Sequence, residues 1–233
     1  MATVRGASST SRMGQHQRWL SDRIGREFAD YDELWQWSVD ELETFWALMW
    51  EYCGVRASTP YREVLTERCM PGAQWFPGAE LNYAEQALDH GHNPLEATAL
   101  IAVAEDGRRR DVSWGQLRDE VAAVADTLRG LGVGKGDRVV GYMPNIPEAA
   151  IAFLACASLG AVWSICSPDF GVRSVTDRFR QIEPKVLFAI DGIPVRREAA
   201  RSDAAGGSAA VGAAIAGAHD LPAPHGSGSS AAG

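Results

Sequence analysis

Between residues 113 and 190 the apolar positions recur in two alternating patterns. Leu117, Val121, Val124, Leu128 and Leu131 follow at spacings of 4, 3, 4 and 3, the stripe of an amphipathic helix, and Ser113 with Gln116 ahead of them forms a capping box. Gly130 and Gly132 end that helix. The short apolar run Arg138 to Tyr142 predicts a buried strand, and Pro147 opens the next helix where a missing N–H costs nothing. Gly160 closes this helix, Ala161 to Ile165 predicts a strand, and Val172, Val175, Phe179 and Ile182 share one face of a third helix before the strand Lys185 to Ile190. Strands separated by helices of this length pair in parallel through right-handed crossovers. The fold class is therefore α/β, an incomplete doubly wound parallel sheet. Ahead of it, Ala99 to Ala104 and Arg108 to Val112 predict a hairpin in which Asp106 and Gly107 both take positive φ.

The flanks have other patterns. Residues 1–17 have no apolar periodicity and are expected to be disordered. Residues 18–97 predict a helical amino-terminal cap, in which Ser38 and Glu41 form a capping box before Leu42, Phe45, Trp46, Met49 and Cys53. Five of the eight tryptophans (Trp35, Trp37, Trp46, Trp50 and Trp75) lie between Tyr31 and Leu88, as expected of a segment that packs onto a main domain. The α/β part covers 98–192. Beyond it the composition collapses: of the 35 residues from Ala199 to Gly233, 13 are alanine, 7 glycine and 5 serine, with no aromatic. Such a stretch buries too little apolar surface to offset its ordering entropy, so 193–233 is expected to be a disordered tail or at most frayed helix. The strand at Val186 to Ile190 is then expected to be an unpaired sheet edge.

Charge narrows the classes of function. A formal net charge of -8 argues against a nucleic-acid or anionic-membrane partner, which calls for a basic footprint. The apolar stretch Ala209 to Ala218 is far short of the roughly 20 residues of a membrane span. Cys53, Cys69, Cys156 and Cys166 show no C-x-x-C spacing and read as reduced thiols of a cytoplasmic protein.

Several phrases, WFPGAELNYAEQAL (Trp75 to Leu88), the run from Gly132 to Gly171 with SPDFG at its end, and DRFRQIEPKVLFAIDG (Asp177 to Gly192), resemble the AMP-forming acyl-CoA synthetases. The nearest resemblance is to members that take acetoacetate, with acetyl- or propionyl-CoA-forming members as the alternative. The resemblance implies activation of a carboxylic acid by ATP and Mg²⁺ to an acyl-adenylate, release of pyrophosphate, and transfer to coenzyme A. It also implies a Ser/Thr/Gly-rich loop ending in Pro-Lys around the phosphates, where positioned N–H groups and a cation stabilise charge. That loop, the following Thr-Glu pair, the ribose-binding aspartate and the lysine of the mobile carboxy-terminal domain have no counterpart in register. No catalytic residue is therefore assigned, and this chain is expected to be an inactive amino-terminal fragment that binds none of these cofactors well. One codon string for Gly192 to Glu198, shortened by one nucleotide, spells Gly-Tyr-Arg-Tyr-Gly-Gly-Lys, which resembles the family's continuation. The same offset allows a second family-like phrase from the codons of Ala213 to Asp220, as a frameshift after Gly192 would produce.

Ligands of such sheets bind beyond the carboxyl ends of the strands, here Tyr142 to Asn145 and Cys166 to Asp169. In the family the second of these forms part of the wall around the coenzyme A nucleotide, which the resemblance places at Ser167, Pro168, Asp169 and Phe170. Asp169 also fits a plain helix N-cap ahead of Val172. The glycines Gly130, Gly132, Gly134 and Gly136 around Lys135 follow a helix and precede a strand, the wrong order for a phosphate loop. Ser227 to Ser230 has no following lysine, and His90 with His92 has no ligand partners at metal spacing.

Overall fold

The computed structural model describes residues 11–88, 94–190 and 214–217. They fall into two compact units, one ending at Leu81 and the other starting at Asn82.

The first unit is built on three helices: α1 (Arg12–Ile24), α2 (Tyr31–Asp40) and α3 (Leu42–Tyr52). Leu20, Phe28, Leu34 and Trp37 form its buried core, with Trp19, Ile24, Phe45 and Leu48 packed around them. Residues 12–17, expected to be disordered, are helical, because Ser11 accepts from the Gly14 N–H and caps α1. The capping box expected at Ser38 and Glu41 does not form. Ser38 lies inside α2 and donates to the Trp35 carbonyl at 2.7 Å, and α3 starts without a side-chain cap. The same sequence signature operates eight residues earlier. Asp30 accepts from the Glu33 N–H, and the Glu33 carboxylate accepts from the Ala29 N–H. Beyond α3, Trp46 packs on Trp75 at 5.5 Å and Trp50 on Phe76 at 4.6 Å, so these tryptophans have partners inside their own unit.

The second unit opens with the short helix α4 (Tyr83–Leu88) and the hairpin β1 (Thr98–Val103) and β2 (Arg109–Ser113). Only Gly107 has positive φ, +82°, and Asp106 does not. The loop has three residues rather than two, a turn followed by one left-handed glycine, while the Asp106 carboxylate accepts from the Arg108 N–H. Helix α5 (Trp114–Gly130) carries the expected capping box of Ser113 and Gln116.

β3 (Arg138–Tyr142), α6 (Pro147–Ser158), β4 (Val162–Cys166), α7 (Val172–Ile182) and β5 (Val186–Ala189) follow in the order the apolar pattern predicts. The strand order is β4-β3-β5-β6, with β4 and β5 both parallel to β3. β3 is buried on both faces: Val139 joins the core formed with α5 and α6, and Val140 joins Cys166, Val175 and Phe179 under α7. Val172 departs from its expected burial and is 67% exposed, because it is the first residue of α7.

β5 is not the open edge expected from the sequence. Residues 214–217 form β6 (Ala214–Gly217), which pairs antiparallel along it. The unpaired N–H and C=O groups of β5 offer a ready template for any extended segment in reach, whatever its side chains. The rest of the tail from residue 193 lies outside the described residues.

Candidate functional site

Register brings three strand ends level. Tyr142 pairs with Cys166 on one side and with Ala189 on the other, so β4, β3 and β5 finish together at one rim of the sheet. The crossovers from β3 to β4 and from β4 to β5 place α6 and α7 on opposite faces, and the strand order reverses between β3 and β5, the position at which open sheets of this kind take their ligands. Spacing alone pointed to the ends of β3 and β4. It could not reveal that β5 lies against β3.

The candidate residues Ser167, Pro168, Asp169 and Phe170 form the turn that leaves β4 at this rim, closed by the Phe170 N–H donating to the Ser167 carbonyl at 3.1 Å. The Ser167 hydroxyl donates to the Asp169 carboxylate at 2.9 Å and accepts weakly from the Asp169 N–H at 3.4 Å. Asp169 therefore does not cap α7. Gly171 occupies the N-cap position and the helix has no side-chain cap.

Two residues outside the four-residue candidate hold this turn: Tyr142, which the sequence placed only at a strand end, and Arg178, which it did not single out. Tyr142, the last residue of β3, places its phenol oxygen 3.1 Å from both the Pro168 and the Phe170 carbonyls, and its single proton is shared between them. From α7, Arg178 sets its guanidinium 4.4 Å from the centre of the Phe170 ring, a cation–π contact. Phe170, Asp169 and Arg178 are exposed, so an aromatic ring, a carboxylate and a guanidinium reach solvent at the rim. An exposed aromatic ring backed by a guanidinium is a surface that can carry a stacked planar group. It does not fit ATP with Mg²⁺, because it brings no lysine and no loop of N–H groups to a triphosphate. Among the described residues no group of three or more His, Cys, Asp or Glu is placed to hold a metal ion. His90 and His92 lie outside the described residues, as do Ser227 to Ser230.

The glycine cluster around Lys135 lies at the opposite, amino end of β3. Gly132 and Gly136 adopt positive φ in a helix-to-strand turn whose polar groups are used internally. The Asp137 carboxylate accepts from the Gly134 N–H at 2.8 Å and from Lys185 Nζ at 3.0 Å, and Lys185 also donates to the Gly132 carbonyl. The Gly134 N–H first, and Lys185 second, hold the Asp137 carboxyl below its usual range.

A helical first unit and a parallel sheet of switched strand order are those of an adenylate-forming α/β protein, and the chain belongs to the AMP-binding enzyme family, whose model matches residues 86–225. A second model, "Acetyl-coenzyme A synthetase N-terminus", matches residues 31–87. Within the family the chain is similar to the acetoacetyl-CoA synthetase of Danio rerio, 44% identical over 177 residues that cover 75% of this chain and 26% of that protein. It is also similar to the acetoacetyl-coenzyme A synthetase of Rhizobium meliloti, 42% identical over 182 residues that cover 78% and 28%. The solved structure of the acetoacetyl-CoA synthetase from Streptomyces lividans shares its fold with a TM-score of 0.74 and 52% identity, covering 79% of this chain and 29% of that one. The chain thus spans little more than a quarter of the length of these relatives. No helix among the described residues is long and apolar enough to cross a membrane.

Proposed function

We propose that the chain is the amino-terminal portion of an acetoacetate–CoA ligase, in which Ser167, Pro168, Asp169 and Phe170 form part of the wall against the coenzyme A nucleotide. The reaction would be acetoacetate, ATP and CoA to acetoacetyl-CoA, AMP and pyrophosphate, with Mg²⁺ on the phosphates. The observation that carries this reading is the 52% identity, over 79% of this chain, to the acetoacetyl-CoA synthetase of Streptomyces lividans. The exposed rim at Phe170 supports the wall assignment, since its ring is already backed by Arg178 on one side. We read residues 18–97 as the cap and 98–192 as the first part of the large domain, within a cytoplasmic enzyme. The 233 residues alone do not complete adenylation, because the phosphate loop and the carboxy-terminal lysine of the family have no counterpart in them. A ligase for acetate or propionate is the second reading, favoured by the match of residues 31–87 to an acetyl-coenzyme A synthetase amino terminus.

Two measurements test these points separately. ATP–pyrophosphate exchange with acetoacetate by the purified chain is expected to equal a no-enzyme control, and turnover above it refutes the inactivity. Millimolar CoA added to the ¹⁵N-labelled chain is expected to shift the amides of Ser167 to Gly171 first. Shifts confined to other residues remove the wall assignment.

A further inference from the structure

Helices α1 and α3 meet through an aromatic cluster that includes one imidazole. The His16 imidazole lies 4.6 Å from the Tyr52 ring and 6.4 Å from the rings of Trp19 and Phe45, centre to centre. The residue is 8% exposed, and its Nε2 is buried without a hydrogen-bond partner. A buried polar nitrogen without a partner is rare, because it forgoes water and gains nothing in return. His90, His92, His219 and His225 lie outside the described residues, which leaves His16 as the one histidine with a described environment.

A neutral imidazole carries one N–H, whereas the imidazolium carries a donor on both nitrogens. Protonation therefore puts a charged N–H at Nε2 with no acceptor to receive it, inside a pocket lined by rings. The other charged and titratable groups on the two flanking helices are Arg12, Arg18, Asp22 and Arg23 on α1 and Glu43, Glu51 and Tyr52 on α3. Glu51 is engaged by Arg23 at 2.6 Å, a contact that joins the same two helices. None of these groups reaches Nε2 as a partner.

We propose that His16 is a pH-sensitive latch, and that protonation of its imidazole releases α1 from α3. Burial supports this by holding the His16 pKa below the ordinary value of 6.5. A base whose pKa is lowered by folding binds more protons unfolded than folded. Its stabilising contribution is complete above the unfolded-state value of about 6.5, declines as pH falls from there through the folded-state pKa, and is flat below it. Across that window the constant for opening rises by up to about tenfold per pH unit for one proton taken up.

The test is urea unfolding of the 233-residue chain at pH 7.5, 6.5 and 5.5, followed by the near-ultraviolet circular dichroism of the aromatic cluster. The wild type is expected to show an unfolding constant that is steady from pH 7.5 to 6.5 and rises by up to about tenfold from 6.5 to 5.5. His16→Phe keeps a ring in the pocket and is expected to lose that rise; an equal rise in both proteins overturns the latch. Should His16→Phe fail to fold, the Cε1–H proton resonance of His16, identified by its loss in His16→Gln, decides. A titration midpoint below 6.5, with loss of its contact to Tyr52 on protonation, supports the latch, and a midpoint at or above 6.5 overturns it.

Discussion

Gly141 in β3 is the position where one added methyl group tests the packing of the sheet most directly. A Cβ built there would lie 2.7 Å from Cη2 and 2.8 Å from Cζ2 of Trp163, and 3.4 Å from the Ile165 side chain. Carbon atoms pack best at about 3.5–4.0 Å, so the indole must retreat by roughly an ångström or β3 must bend. Neither is free. Trp163 packs edge-on against Phe188 at 5.9 Å, and β3 is hydrogen-bonded to a strand on each side. Overpacking of this kind costs about 1–3 kcal/mol, against which alanine regains about 0.4–1 kcal/mol by restricting the unfolded chain. Gly141→Ala is therefore expected to destabilise the second unit by about 1–2 kcal/mol net, measured by urea unfolding with far-ultraviolet circular dichroism. In a Trp163→Leu background the offending ring atoms are gone, and the same substitution should be neutral or slightly stabilising. Equal cost in both backgrounds would refute the assignment of the cost to the indole.

Glu183 closes α7 in the left-handed region at φ 48°, with an exposed side chain. Glu183→Gly removes the Cβ penalty there and is expected to gain about 0.5–1 kcal/mol after its larger unfolded-state entropy, read from the shift in urea midpoint. Ser113→Ala removes the side-chain half of the α5 capping box and should cost about 1 kcal/mol by the same assay, with Ser113→Asp recovering most of it. Burial pushes the Cys156 thiol up to about 12, so below that pH it stays a poor nucleophile. A disulfide-exchange reagent at pH 8 should modify exposed Cys53 quickly and Cys156 only after unfolding.

Much of this architecture was legible because it is written in local spacing. The stripe from Leu117 to Leu128, the proline opening α6 and the glycine at 160 each state a local preference that the tertiary structure accepts, and the order of elements from α5 to β5 follows from them. The false capping box shows where locality ends. Ser38 with Glu41 and Asp30 with Glu33 fit one signature equally well, and the choice falls to the three-helix core, in which Trp37 closes on Phe28 and Phe45 from the end of α2. Residues 12–17 looked unstructured because their composition is polar, yet one serine cap and the aromatic pocket around His16 suffice to order them as helix. β6 was invisible for the opposite reason. It rests on the demand of an open edge for a partner and on no side-chain pattern of its own.

The candidate site divides along the same line. Ser167 to Phe170 came from a phrase in the chain, but what gives the phrase a shape comes from residues 26 to 28 positions earlier and 8 positions later, which no spacing rule connects. Tyr142 reaches the turn because β3 and β4 pair in a register that ends both strands at one level, and Arg178 reaches Phe170 because α7 returns over that face on its way to β5. Both depend on the strand order. A different order with the same helices and strands would preserve every motif and dismantle the rim, so the motif identifies the lineage of the chain, and the topology decides whether Phe170 is presented to a ligand.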